Sequence, residues 1–258
     1  LSLPRIAESL VAASRQGVNV KVLLENNYST PWSKQHELDL SSHGRQRLQR
    51  LSALADQDQN GVVSPEEARN HDALLILQQG QIAWIDDTED GSKGSGLMHH
   101  KFVVIDGERV ITGSANFTNS GMHGDAGATQ TRGNVNHLIS IQSPTLATVF
   151  KEEFAQMWGD GPGGSNNSRF GRNKTAQRLR TVKVGSMNVS VLFPPHAKTH
   201  SGHGIDLIED QLGGAKQTID LALLVFSAQQ LTNKLAELIS AGVKLRLLAD
   251  PGFASRSF

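Results

Sequence analysis

The 258-residue chain contains no cysteine. That absence excludes a disulfide scaffold, a thiolate metal site and a cysteine nucleophile. Aromatic residues are scarce, at 5% of the chain, so stacking platforms for nucleic-acid bases are few. Charge of one sign is missing too. The 25 basic side chains balance 25 acidic ones, which removes any global electrostatic argument for nucleic acid or an acidic membrane. No apolar run approaches the ~20 residues that cross a bilayer. What remains is enough chain for one large domain or two ordinary ones.

The chain opens on Leu1 and runs directly into Pro4–Gln16, where Ile6, Leu10, Val11 and Ala13 recur at helical spacing until Gly17. Residues 18–24 then alternate as a strand. The same order returns near the other end. Residues 8–26 (ESLVAASRQGVNVKVLLEN) align with residues 233–251 (NKLAELISAGVKLRLLADP) when Gly17 is set on Gly242. This repeat predicts two related halves, the first expected to lack its beginning and the second its end. The Gly-rich Gly159–Ser168 and a basic run from Arg169 to Lys183 read as a solvated linker over 161–182. The expected organisation is a first half at 1–160, carrying an insertion at about 34–80, and the start of a second half at 183–258. The fold class is α/β, each half a mixed β-sheet flanked by helices. Strands are expected near 18–25, 97–105, 109–115, 134–141, 188–193, 217–226 and 243–249.

The chemistry concentrates in residues 99–116, HHKFVVIDGERVITGSAN. His99, Lys101 and Asp106 form H-x-K-x4-D, and Gly113, Ser114 and Asn116 form G-S-x-N. On a strand, side chains alternate faces, so His99 and Lys101 share one face and Asp106 takes the other. Asp106–Gly107 is a turn pair, and the return strand ends at Ser114 and Asn116. The hairpin therefore gathers an imidazole, an ammonium, a hydroxyl and an amide. An imidazole can attack phosphorus, while an ammonium and an amide hold the non-bridging oxygens. By the same parity His100 faces away and is a bystander, whereas His123 lies on a Gly-rich loop near the motif.

This pattern resembles the phospholipase D superfamily, with H-x-K-x4-D followed by G-S-x-N. The flanking helix–Gly–strand, the helix Pro144–Trp158 and the opening of a second half also fit its two-repeat layout. The resemblance implies a phospholipase D-like fold and hydrolysis of phosphodiesters through a phosphohistidine. It makes His99 the nucleophile or its acid/base partner, Lys101 and Asn116 phosphate ligands, Ser114 a supporting residue and Asp106 a structural or electrostatic member. It implies no metal for catalysis. Two departures stand out. The family's sites use two such motifs and this chain has one, so the second is expected from a missing C-terminal part or from a homodimer, and residues 1–258 alone are expected to be inactive or nearly so. The family also often has a glutamate that orients the histidine. Asn136 stands at that place, leaving Asp125 as an alternative acid.

The insertion carries DQDQNGVVSPEE at 56–67, which matches an EF-hand loop. Asp56, Asp58 and Asn60 occupy positions 1, 3 and 5, and Gly61 gives the turn. Val62 offers its carbonyl, Ser64 its hydroxyl and Glu67 a bidentate carboxylate. Gln46–Ala55 reads as the entering helix and Pro65–Leu77 as the exiting one. The match predicts a structural calcium ion. Ser64 and Glu67 also form a capping box, which needs no ion. The favoured substrate is a phospholipid. Nucleic acid is the alternative, and a calcium-binding interaction module with weak catalysis is a third reading. No compartment is read from the sequence.

Overall fold

A computed structural model describes residues 1–91, 96–122 and 133–254. The chain divides into two compact units, Leu1–Thr175 with Val182–Val189, and Ala176–Thr181 with Ser190–Phe258.

The first unit begins with helix α1 (Pro4–Arg15), which has proline in its first turn and buries Ala7 and Val11. Gly17 ends it at φ +90°, with open space around its Cα. Glycine is needed there for the left-handed backbone, not for room. The Val18 N–H reaches back to the Ala13 carbonyl at 3.1 Å, closing a Schellman cap. Strand β1 (Lys21–Leu24) follows, then α2 (Ser42–Ala55), α3 (Pro65–His71), α4 (Ala73–Gln79) and β2 (Ala83–Asp86). β1 and β2 pair in parallel from Lys21↔Ala83 to Leu24↔Asp86. α1 and α4 cover this pair through Ala7, Val11, Leu24, Leu74, Leu77 and Ile82. They approach closely because Gly80 lacks a side chain: a Cβ there would lie 2.3 Å from Val11 Cγ2.

Strands β3 (Phe102–Ile105), β4 (Arg109–Gly113) and β5 (Leu138–Gln142) form an antiparallel sheet, with the short helix α5 (Asn119–Met122) between β4 and β5. Helix α6 (Pro144–Trp158) buries Leu146, Val149, Phe150, Glu153, Met157 and Trp158. Phe150 meets Phe102 edge-on at 5.1 Å, so α6 buttresses the start of β3. Each fully buried Leu, Phe or Met contributes ~1.5–3 kcal/mol.

Strands β6 (Arg180–Val184) and β7 (Met187–Val191) form a two-stranded sheet. The second unit contains α7 (Gly204–Gly213), β8 (Thr218–Leu223), α8 (Gln229–Ser240) and β9 (Lys244–Ala249). β8 and β9 are parallel and pack on α8 through Ile219, Leu235 and Val243. Gly242 has φ +93°, and the Val243 N–H meets the Leu238 carbonyl at 3.0 Å. The two aligned segments thus take one local form: a helix, a Schellman cap on a left-handed glycine, and a strand in a parallel pair.

The structure departs from the sequence expectation at five places. Strand β6 lies mostly inside the expected linker 161–182. β2 is an extra strand, too short to show a period. The expected strand 97–105 begins its ladder only at Phe102. The expected exiting helix breaks at Asp72, whose carboxylate caps α4 through the Leu74 N–H at 3.0 Å and binds the Ser33 hydroxyl at 2.8 Å. Finally, the front of the expected linker is core. Phe170 and Ser168 are buried, and the Lys174 ammonium is 5% exposed against a fully buried Glu153.

Candidate active site

The β3–β4 hairpin sets the site. Asp106 and Gly107 are both left-handed, at φ 52° and 67°, and the Glu108 N–H closes the turn onto Ile105 at 2.9 Å. β4 then runs into Gly113, where glycine is required by space. A Cβ there would lie 2.1 Å from the His137 carbonyl oxygen. The Ser114 N–H donates to that same oxygen at 3.1 Å, locking the G-S-x-N segment to the chain entering β5.

His99, Lys101 and Asn116 open into one cavity of about 830 Å³. The segment 97–101 precedes the β3 ladder, so strand parity is not what aims His99 and Lys101. Contacts on either side hold it instead. The Met98 N–H donates to the buried Asp87 carboxylate at 3.2 Å, and the Lys101 ammonium donates to the His99 carbonyl at 2.7 Å. Partial burial, then the charges of Lys101 and His100, hold the His99 imidazole below its ordinary pKa. Burial brings the Lys101 ammonium down to about 8. Near neutral pH the ring is therefore a free base beside a cation, as a nucleophile on an anionic phosphodiester requires.

The other residues of the sequence motif are placed differently. Ser114 does not line the cavity. Its hydroxyl donates to Asn136 Oδ1 at 2.9 Å and accepts the His137 N–H at 3.1 Å. Asn136 in turn donates to the Gly121 carbonyl at 3.1 Å. This amide ties β4, β5 and α5 together, and no hydrogen bond joins it to His99 among the described residues. Asp106 sits in the turn at the far end of β3 from His99 and does not border the cavity. His123 and Asp125 lie outside the described residues.

Sequence reading missed the group behind the site. His100 is not a bystander: its Nε2 meets Glu153 Oε1 at 3.0 Å. Glu153 also receives the Lys174 ammonium and, at 2.5 Å, the Gln156 amide. Burial alone would raise the Glu153 pKa, but the hydrogen bonds and charges of His100 and Lys174 outweigh it and hold the carboxyl low. A fully buried carboxylate thus anchors the residue between His99 and Lys101. One available signal was the glutamate on the apolar face of α6, in register with Phe150 and Met157.

In the insertion, α2 and α3 flank the acidic loop. Oxygens of Asp56, Asp58 and Glu67 lie within 4.8 Å of one another. Backbone N–H groups hold these oxygens in place. Gly61 donates to Asp56 at 2.8 Å and Gln57 to Glu67 at 2.7 Å, and Asn60 donates to both Asp56 and Asp58. The Val62 N–H binds Asn60 Oδ1 at 2.8 Å. Ser64 and Glu67 complete the capping box. Hydrogen bonds from Ser64, then Gln57, bring the Glu67 carboxyl down to about 2.

Comparison with known proteins places this geometry. A family model described as "Cardiolipin synthase, PLD-like domain" matches residues 2–158. Over 66 residues the chain is 36% identical to the mitochondrial cardiolipin hydrolase of Xenopus tropicalis, covering 26% of this chain and 27% of that protein. Over 61 residues it is 34% identical to the Danio rerio protein of the same name, covering 24% and 23%. The chain thus spans about a quarter of the length of these curated relatives. Among solved structures it is similar to Nuc from Salmonella typhimurium, a phospholipase D family member. Identity there is 21% with a TM-score of 0.37, over 63% of this chain and 74% of that one. Because the family match covers more than half of the chain and contains the whole His99 hairpin, the chain belongs to the PLD-like domain family of cardiolipin synthase.

Proposed function

We propose that the chain carries a phosphodiesterase half-site. The observation that carries this reading is the opening of a neutral His99, a cationic Lys101 and Asn116 into one cavity. His99 attacks phosphorus: an N–P bond forms, a P–O bond breaks, and the electron pair leaves with the alkoxide. Lys101 and Asn116 hold the non-bridging oxygens, and Ser114 and Asn136 keep the Asn116 loop in place. Protonating an alkoxide and activating the water that frees the histidine need a second acid/base group. We assign that group to a second motif, in further chain or in a second copy of this one. The substrate class is a phospholipid. The names of the relatives support this, as does the apolar lining of the cavity by Leu10, Leu51, Leu54 and Leu97.

Bis(p-nitrophenyl) phosphate tests the half-site by itself, because p-nitrophenolate departs without protonation. The 258-residue chain is expected to release one equivalent in a burst and to carry the remaining phosphoryl group on the peptide containing His99. The absence of both burst and adduct overturns the reading. The pH dependence of the burst follows from the two shifts. Its second-order rate constant rises as His99 loses its proton, with a midpoint below 6.5, and falls as Lys101 deprotonates near 8. A rate that keeps climbing through pH 9 would remove Lys101 from phosphate binding. Steady turnover of phosphatidylcholine and of single-stranded DNA, followed against chain concentration, distinguishes lipid from nucleic acid and a dimer from an isolated half-site.

We also propose a structural calcium ion at the 56–67 loop, held by Asp56, Asp58, Asn60, the Val62 carbonyl, Ser64 and Glu67. The convergence of the Asp56, Asp58 and Glu67 oxygens favours it. Titration calorimetry should give one calcium per chain, lost in Glu67→Gln. Since the Glu67 carboxyl titrates at about 2, protonation of this ligand does not limit binding at pH 5. Equal heats in wild type and variant would leave the loop as a capped turn.

A further inference from the structure

We infer that Lys174, which lies beyond the residues matched by the family model, is a positioning residue for His99. It supplies the positive charge that the buried Glu153 requires, so that His100 holds the segment as a neutral ring and His99 keeps a single cation, Lys101, beside it. This rests on the phosphodiesterase reading above and concerns how the nucleophile of that site is held.

The paired ladder of β3 begins at Phe102, so the sheet does not set the direction of His99. Two buried carboxylates do. Asp87 receives the N–H groups of Asn26 at 3.0 Å and Met98 at 3.2 Å. Glu153 receives the His100 ring at 3.0 Å, and that ring meets Phe102 edge-on at 5.6 Å. Held by Glu153 and Phe102, His100 fixes the backbone between His99 and Lys101. The Lys174 ammonium donates to the same Glu153 oxygen, Oε1, while Gln156 takes Oε2. A strap over residues 168–175 brings it there. The Ser168 N–H donates to Asp90 at 2.7 Å, and the Arg169 N–H to the Gln156 carbonyl at 3.0 Å. Phe170 is buried with Ile85, Met157 and Trp158, and the Thr175 N–H donates to Gln156 Oε1 at 3.0 Å.

Apart from burial, which opposes them, the groups that act on the Glu153 carboxylate are His100 and Lys174. Apart from burial, the groups that act on His99 are Lys101 and His100. Lys174 belongs to the first set alone, whereas His100 belongs to both. A change in the charge of His100 therefore passes from the buried carboxylate to the nucleophile. A carboxylate in a dry site requires a full positive partner. With Lys174 in place that requirement is met, and His100 need only donate one hydrogen bond from Nε2. Without Lys174 the requirement falls on His100, which becomes an imidazolium next to His99. A second cation beside His99 makes its ring a weaker base and a weaker nucleophile.

NMR titration of the His99 ring in the 258-residue chain, without substrate, tests this apart from the chemistry. In Lys174→Met the proton affinity of His99 should fall about three-fold or more. It should stay at the wild-type value in Lys174→Arg, which keeps the charge, and in Glu153→Gln combined with Lys174→Met, which removes the buried charge. Phe170→Leu loosens the strap without touching Glu153 and should leave the affinity in place. The burst with bis(p-nitrophenyl) phosphate should slow about ten-fold in Lys174→Met and return to within about two-fold of wild type in Lys174→Arg. In wild type at neutral pH, ring-nitrogen NMR should show His100 neutral and protonated at Nε2, a measurement that needs no variant to fold. A His100 imidazolium in wild type, or a His99 affinity that is unchanged or higher in Lys174→Met, overturns the proposal. So does an equal fall in Phe170→Leu, or one that persists in the double variant. If wild type gives neither burst nor adduct while His99 shifts as expected, the phosphodiesterase reading fails and the charge link stands. A normal burst with an unmoved His99 does the reverse.

Discussion

His99→Asn should lower the burst rate with bis(p-nitrophenyl) phosphate by at least ~10³-fold, and steady turnover of any complete protein by a similar factor. The asparagine side chain nearly matches the imidazole near the backbone but has no basic nitrogen to bond phosphorus. His99 lies outside the buried hydrophobic core. The melting temperature should therefore stay within about 2 °C of wild type, as for surface substitutions. The phosphoryl adduct should vanish from the peptide carrying residue 99. A variant that keeps the adduct on another residue, or loses only a few-fold in rate, would move the nucleophile elsewhere. Lys101→Met should act differently, weakening phosphate-analogue binding together with the rate, because it removes the charge that holds the non-bridging oxygens in ground and transition states alike.

Glu153→Ala should cost about 3–5 kcal/mol of stability, because it strands the Lys174 ammonium and leaves His100 without its acceptor. For a chain of this length that is a fall in melting temperature of roughly 6–20 °C. The pH dependence has a definite sign. The Glu153 carboxyl is lowered from 4.5 in the folded protein. Its contribution is therefore present above pH 4.5 and is lost as pH falls through the folded-state value. Wild type should weaken on that acid limb more steeply than the variant. Glu153→Leu combined with Lys174→Met should recover much of the loss, since apolar side chains of similar size replace a buried pair at little net cost. A loss below about 1 kcal/mol in Glu153→Ala, measured by urea unfolding, would show that the cluster does not anchor the hairpin. Because His100 lies between His99 and Lys101, the single variant should also slow the burst at temperatures where it remains folded.

Some features of this protein need only short stretches of chain, and those were legible in the sequence. The left-handed glycines at 17 and 242, the Asp106–Gly107 turn and the Ser64–Glu67 box are local backbone chemistry. So are the α/β class and the alternating strands, whose ladders fell inside or within a residue or so of the expected ranges. The pairing of His99, Lys101 and Asn116 in one motif was likewise legible, because a hairpin brings near neighbours together. What only the tertiary structure decided involves partners far apart in the chain. Lys174 reads as part of a solvated basic run until Glu153 is found buried against it and His100. Helix α4 reads as the tail of the insertion until Asp72 breaks it and Gly80 lets it lie against α1. The balanced charge of the sequence conceals a cavity whose charged lining residues, among those described, are five Lys or Arg and one Glu, because net charge sums over the whole chain while the field in a cleft depends on which side chains the fold turns inward.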